Sequence, residues 1–235
     1  MKKSHLFAAL SCFSCAGMAF GSVVVSHADL SKSGTLVSAA GGYDTTWPAM
    51  TFGYLAFFGD DQSSAFDYHL AVLKFALPGV LQPTDTINSA TYSLPLYNYA
   101  TPANVPVYVK VQKYVNDNNT GLGSSDHPDN ATLVDVGVTS ITNGGSGGPF
   151  FIDLTSAVAA DVAAGKTYTS YLLSAVADGS GTPITDGGPQ GDVYYGGLAD
   201  PQYGEVLTID YTAVPEPASL ALLGLGAMAM IRRRK

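Results

Sequence analysis

The chain has two cysteines and three arginines, and all five lie near its ends. The cysteines are Cys12 and Cys15, and residues 22–214 contain neither residue type. A domain built from residues 22–214 cannot be held together by disulfides, so its stability must come from a hydrophobic core. About 190 residues are enough for one sizeable domain with such a core.

The absence of arginine makes this central region strongly acidic. Residues 22–214 carry five lysines against eighteen acidic residues, a formal net charge of −13, compared with −8 for the whole chain. Binding of nucleic acid needs clustered lysine and arginine, so the composition argues against that partner. A strongly anionic polysaccharide is disfavoured for the same reason, whereas a neutral sugar, a calcium ion or a basic partner is compatible.

The N-terminus has the pattern of a secretory signal. Lys2 and Lys3 precede an uncharged apolar stretch over residues 6–20, and Ala19 and Gly21 place small residues before a cut at Ser22. A buried N-terminal helix is the alternative, but the segment has neither a helix cap nor an amphipathic face. The pattern predicts a signal peptide over residues 1–21 and export through the Sec pathway.

The C-terminal tail combines a short motif, an apolar run and a basic end. Pro215, Glu216 and Pro217 precede apolar or small residues from 218 to 231, and the chain closes with Arg232, Arg233, Arg234 and Lys235. An apolar helix followed by a basic cluster stops transfer across a membrane and keeps the cluster in the cytoplasm. The run is shorter than the roughly 20 residues of a full span, a gap that snorkelling and bilayer thinning can close. The tail therefore predicts transient anchoring in the inner membrane.

This tail resembles the PEP-CTERM sorting signal, whose three parts occur in the same order. The resemblance covers residues 214–235. It implies a Gram-negative bacterium that produces exopolysaccharide, and an exosortase as the sorting partner. It also implies processing near the Pro-Glu-Pro motif and delivery to the cell surface or the extracellular matrix.

The central region has the apolar alternation of β-strands, separated by clusters of Gly, Pro, Asn and Asp. The predicted strands cover residues 70–77, 87–99, 107–115, 132–138, 150–154, 168–176, 192–195 and 205–211. One short helix is predicted over residues 156–164, started by a cap at Thr155 or Ser156 and ended by Gly165. The fold class predicted is all-β: a single jelly-roll or β-sandwich domain over residues 22–213 with one short helix.

The order of five segments, 73–77, 86–94, 151–158, 171–173 and 193–211, resembles the DNRLRE-type domain of bacterial surface proteins. That family is related to jelly-roll carbohydrate-binding modules, so the resemblance implies a carbohydrate-binding domain over residues 34–213. The family usually has arginine and aspartate in its first conserved strand, where this chain has Lys74 and Ala76.

Aromatic side chains are the first candidates for ligand binding, because an aromatic ring stacks on the apolar face of a sugar. The candidates are Tyr43, Trp47, Tyr54, Tyr97 and Tyr99. Trp47 is the strongest, since Thr45 and Thr46 before it and Pro48 after it indicate an exposed loop. Burial of these rings in the core is the alternative.

Aspartates are the candidates for metal binding. Asp60 and Asp61 lie close in sequence to Asp67, and such oxygen-rich segments suit Ca²⁺. The spacing is not that of an EF-hand, and solvated turns are the alternative. The sequence therefore predicts no definite cofactor, and a structural calcium ion is the one candidate.

These features predict an exported protein without enzymatic activity that binds or organises polysaccharide, or serves as a scaffold in a biofilm matrix. One alternative is an extracellular carbohydrate-active enzyme, a lyase or hydrolase. Glu205 is the one glutamate of residues 22–214, which excludes a glutamate pair for glycoside hydrolysis but leaves an aspartate pair open. A purely structural matrix protein is the other alternative.

Overall fold

A computed structural model describes residues 21–39, 42–48, 59–61, 67–95, 107–116, 119–141, 149–176, 178–182 and 206–214. Regular structure over these residues consists of eleven strands, one α-helix and a turn of 3₁₀ helix at Ser124–Asp126. The strands are β1 (Gly21–His27), β2 (Gly34–Ala39), β3 (Gly42–Pro48), β4 (Gly59–Asp61), β5 (Asp67–Ala76), β6 (Thr86–Pro95), β7 (Val107–Tyr114), β8 (Leu133–Ile141), β9 (Pro149–Asp153), β10 (Tyr168–Val176) and β11 (Val206–Thr212). Helix α1 spans Thr155–Ala163.

The strands form two antiparallel sheets. The four-stranded sheet has the order β1-β11-β6-β9. The seven-stranded sheet has the order β3-β2-β5-β10-β7-β8, with β4 added through its pairing with β5. Strand β11 lies beside β1, with Gly21 opposite Thr212, so the first and last described strands are neighbours. One compact unit, Gly21–Ala213, contains both sheets.

The hydrophobic core lies between the two sheets. On β11 burial alternates strictly, so that Leu207, Ile209 and Tyr211 face inward, as expected for a strand with one solvated face. Phe75 of the seven-stranded sheet meets Tyr92 of the four-stranded sheet edge to face, with ring centroids 5.2 Å apart. These contacts confirm the predicted all-β sandwich.

A second, smaller hydrophobic cluster lies on the opposite side of the seven-stranded sheet. It contains Leu36, Leu70, Val72, Tyr114 and Leu172. Leu122 and Ala131, from the segment between β7 and β8, pack against it. The outer face of this sheet is therefore covered by residues 119–131, which explains why β10 is buried along almost its whole length.

The sequence patterns locate strands β5 to β11 and the helix correctly, but they do not predict β1 to β4. The stretch around Tyr43 and Trp47 was expected to be an exposed loop. That expectation is wrong, because residues 42–48 form strand β3 and pair with β2. The strand predicted over residues 192–195 lies outside the described residues.

Both ends of α1 are fixed, but the start is not capped as predicted. Gly165, with φ +67°, ends the helix in the left-handed region, and its N–H donates to Val162 O at 2.9 Å. The predicted capping by Thr155 or Ser156 is wrong. The carboxylate of Asp153 instead accepts from Thr155 N, and Thr155 Oγ1 accepts from Ala90 N, which ties the helix to β6.

In the part of the chain that the structure describes, no helix is long and apolar enough to cross a membrane. Residues 218–231, where the sequence predicts an apolar helix, lie outside that part, as do the predicted signal peptide up to residue 20 and the basic end.

Candidate functional site

The outer face of the four-stranded sheet is solvent-exposed and crosses all four strands. Two rows of side chains form it, in cross-strand register: Val25, Thr208, Thr91 and Asp153 in one row, and His27, Val206, Ser93 and Phe151 in the next. All eight are exposed or partly exposed. We refer to these eight residues as the outer face.

Phe151 is the large aromatic side chain of this face, and the strand period places it there. It is 58% exposed, whereas Ile152, the next residue along β9, is 5% exposed and packs in the core. Successive residues of a strand point to opposite sides, so the sequence Phe150-Phe151-Ile152 must place one of its two phenylalanines outside. Exposure of a large aromatic ring to water is unfavourable. Where such a ring lies beside polar groups on the surface, it indicates a candidate binding site.

Hydroxyl-bearing residues lie on the strands beside Phe151. Ser93 lies opposite it on β6, and Thr91 and Thr208 occupy the next row. Strands β1, β6, β9 and β11 contain neither lysine nor arginine. The outer face therefore combines a ring for stacking with neutral donors and acceptors, and it offers no positive charge to an anionic ligand.

Asp153 is the fixed carboxylate of the outer face. Its Oδ1 accepts from Thr155 Oγ1 at 2.6 Å and from Thr155 N at 2.9 Å. These hydrogen bonds from Thr155 lower the pKa of Asp153, so the group is an ionised acceptor held in place at neutral pH. Its free lone pairs are available to a hydroxyl-bearing ligand.

The seven-stranded sheet differs, because buried ion pairs are its main polar feature. Lys74, on β5, is fully buried, and its Nζ lies 2.7 Å from Asp126 Oδ1. Asp126 also accepts from Gly123 N at 2.9 Å through Oδ2. Tyr114 donates its hydroxyl to the main-chain oxygen of Asp126 at 2.8 Å, so the covering segment is fixed to the sheet.

A second buried carboxylate, Asp161 of α1, is shared by two lysines. Its Oδ1 lies 2.7 Å from both Lys113 Nζ and Lys166 Nζ. Its Oδ2 accepts from the hydroxyl of Thr169 at 2.8 Å, and that hydroxyl also contacts the hydroxyl of Tyr171. Burial raises the pKa of Tyr171, so the phenol stays neutral. This network joins α1 to β7 and β10.

A third cluster of charged and polar side chains includes residues from the segment between β1 and β2. Lys32 Nζ lies 2.9 Å from Asp29 Oδ2 and 2.7 Å from the hydroxyl of Tyr168, at the start of β10. Burial alone would raise the pKa of Asp29. Hydrogen bonds from Ser31, Lys32 and Tyr168 outweigh that effect and lower the pKa to about 2. All five lysines of the domain are thus paired with aspartates, since Lys110 also pairs with Asp135 at 3.1 Å.

A small pocket of about 120 Å³ opens above the Lys74–Asp126 pair. It is lined by Tyr114, Asn116, Ser125, Asp126, Asn130, Ala131 and Thr132. Asp126 is already neutralised by Lys74, and Asn130 donates to Ser124 O at 2.9 Å. The polar groups of this pocket therefore serve the fold of the covering segment.

The aromatic residues predicted from sequence are only partly located by the structure. Tyr43 and Trp47 lie on β3, an edge strand of the seven-stranded sheet, opposite Ser38 and Thr35. Tyr54, Tyr97 and Tyr99 lie outside the described residues. The predicted sugar-binding role of these five aromatics stays a prediction.

The predicted calcium ligands lie on paired strands. The register of β4 and β5 places Asp61 opposite Asp67 and Asp60 opposite Tyr68. Across the described ranges, no three side chains of His, Cys, Asp or Glu are grouped as metal ligands. Calcium binding by these aspartates stays a prediction.

Comparison with known protein families finds a match at the C-terminus. The family described as the PEP-CTERM protein-sorting motif matches residues 213–235. No curated protein matches the chain. The resemblance of the central domain to the DNRLRE-type family is not confirmed. The matched residues begin one residue after β11 ends, so the tail directly follows the folded unit. The chain therefore carries a PEP-CTERM sorting motif, which implies export and exosortase-dependent sorting to the cell surface or extracellular space in a Gram-negative bacterium.

Proposed function

We propose that the domain binds a neutral polysaccharide of the cell surface or matrix on its outer face, without catalysing a reaction. The observation that carries this proposal is the exposed ring of Phe151, beside Ser93 and Thr91 of β6 on a sheet whose strands contain neither lysine nor arginine. A sugar ring presents an apolar face to an aromatic side chain and hydroxyls at its edge. The rows of exposed side chains across the four strands suit a chain ligand, because successive sugar units can lie along a row.

The charge of the domain supports a neutral ligand rather than an acidic one. Residues 22–214 have a formal net charge of −13, and all five of their lysines are paired with aspartates. An anionic polysaccharide would approach a surface of its own sign. Sorting to the cell surface or extracellular space is compatible with such a ligand and with a matrix role.

Titration of neutral and acidic polysaccharides by calorimetry tests the proposal. Phe151→Ala should weaken binding of the neutral ligand roughly tenfold to hundredfold, because about 1.5–3 kcal/mol of apolar burial is lost. Val134→Ala is the matched control, since Val134 is 53% exposed but lies on β8 of the other sheet. Equal affinities of the two variants would reject the outer face as the binding site.

The single tryptophan distinguishes the two aromatic candidates. Trp47 lies on β3, in a different sheet from Phe151. A sugar that changes the Trp47 fluorescence, and whose binding survives Phe151→Ala, would move the site to the edge of the seven-stranded sheet. Release of shorter oligosaccharides from the host exopolysaccharide would reject the non-catalytic binding role and support the enzymatic alternative.

Calcium binding at Asp60, Asp61 and Asp67 is a separate part of the proposal. A carboxylate pair set opposite each other across strands is destabilising unless a cation lies nearby. Added Ca²⁺ should raise the unfolding temperature and EDTA should lower it. An unfolding temperature that is the same in both conditions would eliminate the calcium site.

A further inference from the structure

Strand β1 is an edge strand without the usual protection against pairing. It pairs with β11 on one side, and no described strand pairs with it on the other. Every second residue of an antiparallel edge strand turns its N–H and C=O away from the sheet, where they can pair with another strand. Natural edges are commonly blocked by lysine, proline or a bulge. Residues 22–26 contain no charge and no proline, and the β1–β11 register is continuous.

The apolar side chains of β1 are also exposed. Val23 is 63% exposed and Val25 is 50% exposed, although both are β-branched residues that favour packing in a sheet. Val24, between them, packs partly against the core. The edge therefore presents unpaired backbone groups together with two uncovered valines.

The sequence of this edge reads the same in both directions. Ser22-Val23-Val24-Val25-Ser26 is symmetric about Val24. When two copies of such a strand pair antiparallel around a two-fold axis, each residue meets its own type. Val24 lies on the axis opposite the partner's Val24, Val23 faces the partner's Val25, and Ser22 faces the partner's Ser26.

The charge distribution of the domain also favours contact between two copies at β1. Two copies of a domain with a formal net charge of −13 repel each other over most of their surface. Strand β1 has no acidic residue, so contact there brings no carboxylates directly together. Cross-strand pairs of β-branched residues stabilise such a contact in addition to the backbone hydrogen bonds.

We propose that two copies of the domain associate through antiparallel pairing of their β1 strands, centred on Val24, to form one continuous eight-stranded sheet. The partner is a second copy of this chain, because the symmetric strand matches itself. The proposal does not depend on polysaccharide binding, and its tests contain no sugar.

Sedimentation and light scattering of the compact unit Gly21–Ala213 test the proposal, since this unit contains both sheets and both hydrophobic clusters. We expect a dimer that strengthens with added salt, because salt screens the repulsion between two acidic domains. The double variant Val23→Lys and Val25→Lys should be monomeric. Val134→Lys, on the edge strand β8, should remain dimeric. A monomeric parent protein, or a dimer in the double lysine variant, would overturn the proposal.

A cysteine variant tests the register and does not rely on the lysine variants folding. The domain has no cysteine of its own, so Val24→Cys introduces a single thiol. Opposed residues of an antiparallel pair have Cα atoms about 4.5–5.5 Å apart, within the range of a disulfide. Mild oxidation should cross-link Val24→Cys into a covalent dimer and leave Val134→Cys monomeric. No cross-linking of Val24→Cys, or equal cross-linking of the two variants, would contradict the proposed centre of pairing.

Discussion

The outer faces of the two sheets differ: one is covered by another segment of the chain, and the other is exposed to solvent. The seven-stranded sheet is covered by residues 119–131, and the buried Lys74 is joined to Asp126 of that cover. The four-stranded sheet has no lysine in its strands, and its outer face displays hydroxyls, valines and Phe151 to solvent. The comparison separates a face that stabilises the fold from a face that is free to bind. It also predicts that substitutions in the two sheets will have very different effects.

The largest effect is expected from Lys74→Met. Removing one partner of a buried pair leaves Asp126 charged and without its counter-ion, which should cost about 3–5 kcal/mol of unfolding free energy. Urea denaturation measures it. Lys110→Met is the control, because its pair with Asp135 is partly exposed and should contribute at most about 1 kcal/mol. Equal losses in the two variants would mean that burial does not distinguish these ion pairs.

A smaller but substantial effect is expected from Asp161→Asn. Two lysines lose their shared carboxylate, and Thr169 loses a charged acceptor, so we expect a loss of about 2–3 kcal/mol. Lys166→Met removes the more exposed of the two lysines and should cost less than about 1 kcal/mol. Thermal unfolding of the two variants checks this order, and a reversed order would contradict the network.

The third prediction concerns the stability of the domain at low pH. The pKa of Asp29 is lowered from 3.8 to about 2 in the folded domain, so the stability it contributes is complete above the unfolded value and is lost as the pH falls through about 2. Asp29→Asn should therefore show a weaker decline of urea stability over this pH range than the parent domain. The carboxylates of Asp135, Asp153 and Asp178, whose pKa values are also lowered, remain in the variant and should preserve part of the decline. Identical declines would show that the Asp29 cluster does not matter to folding.

The smallest effect is expected on the outer face itself. Thr208→Ala removes a partly exposed hydroxyl from β11 and should change the unfolding free energy by no more than about 0.5 kcal/mol. The same variant should weaken polysaccharide binding if the hydroxyl contacts the ligand. A large loss of stability would show that the outer face contributes to the fold, and the contrast between the two sheets would fail.

The later strands were predictable because their patterns are long and regular. The sequence of β7 alternates from Val107 to Gln112, and β10 has an apolar centre within a segment of strand length. The first four strands carried weaker signals. β1 is a short run next to the predicted signal, β4 has three residues, and β3 ends in Trp47-Pro48, a pair that suggests a loop although proline is tolerated at the end of an edge strand.

The polar features were harder to predict, because they depend on partners far away in sequence. Lys74 lies in an apolar run, and its counter-ion Asp126 comes from a segment after β7. No local sequence pattern indicates that the side chains of Lys74 and Asp126 meet. The exposure of Phe151 was within reach of sequence reasoning, since successive residues of a strand face opposite sides, but the pattern does not say which side of β9 faces the core.

The pairing of β1 with β11 has a consequence for export. A chain that crosses a membrane with its N-terminus first delivers β11 last, and β11 is the strand that joins β1 to β6. The sheet cannot close until nearly the whole domain has crossed, and contacts between such distant segments form slowly. The topology therefore delays completion of the four-stranded sheet until β11 has crossed, immediately before the sorting tail.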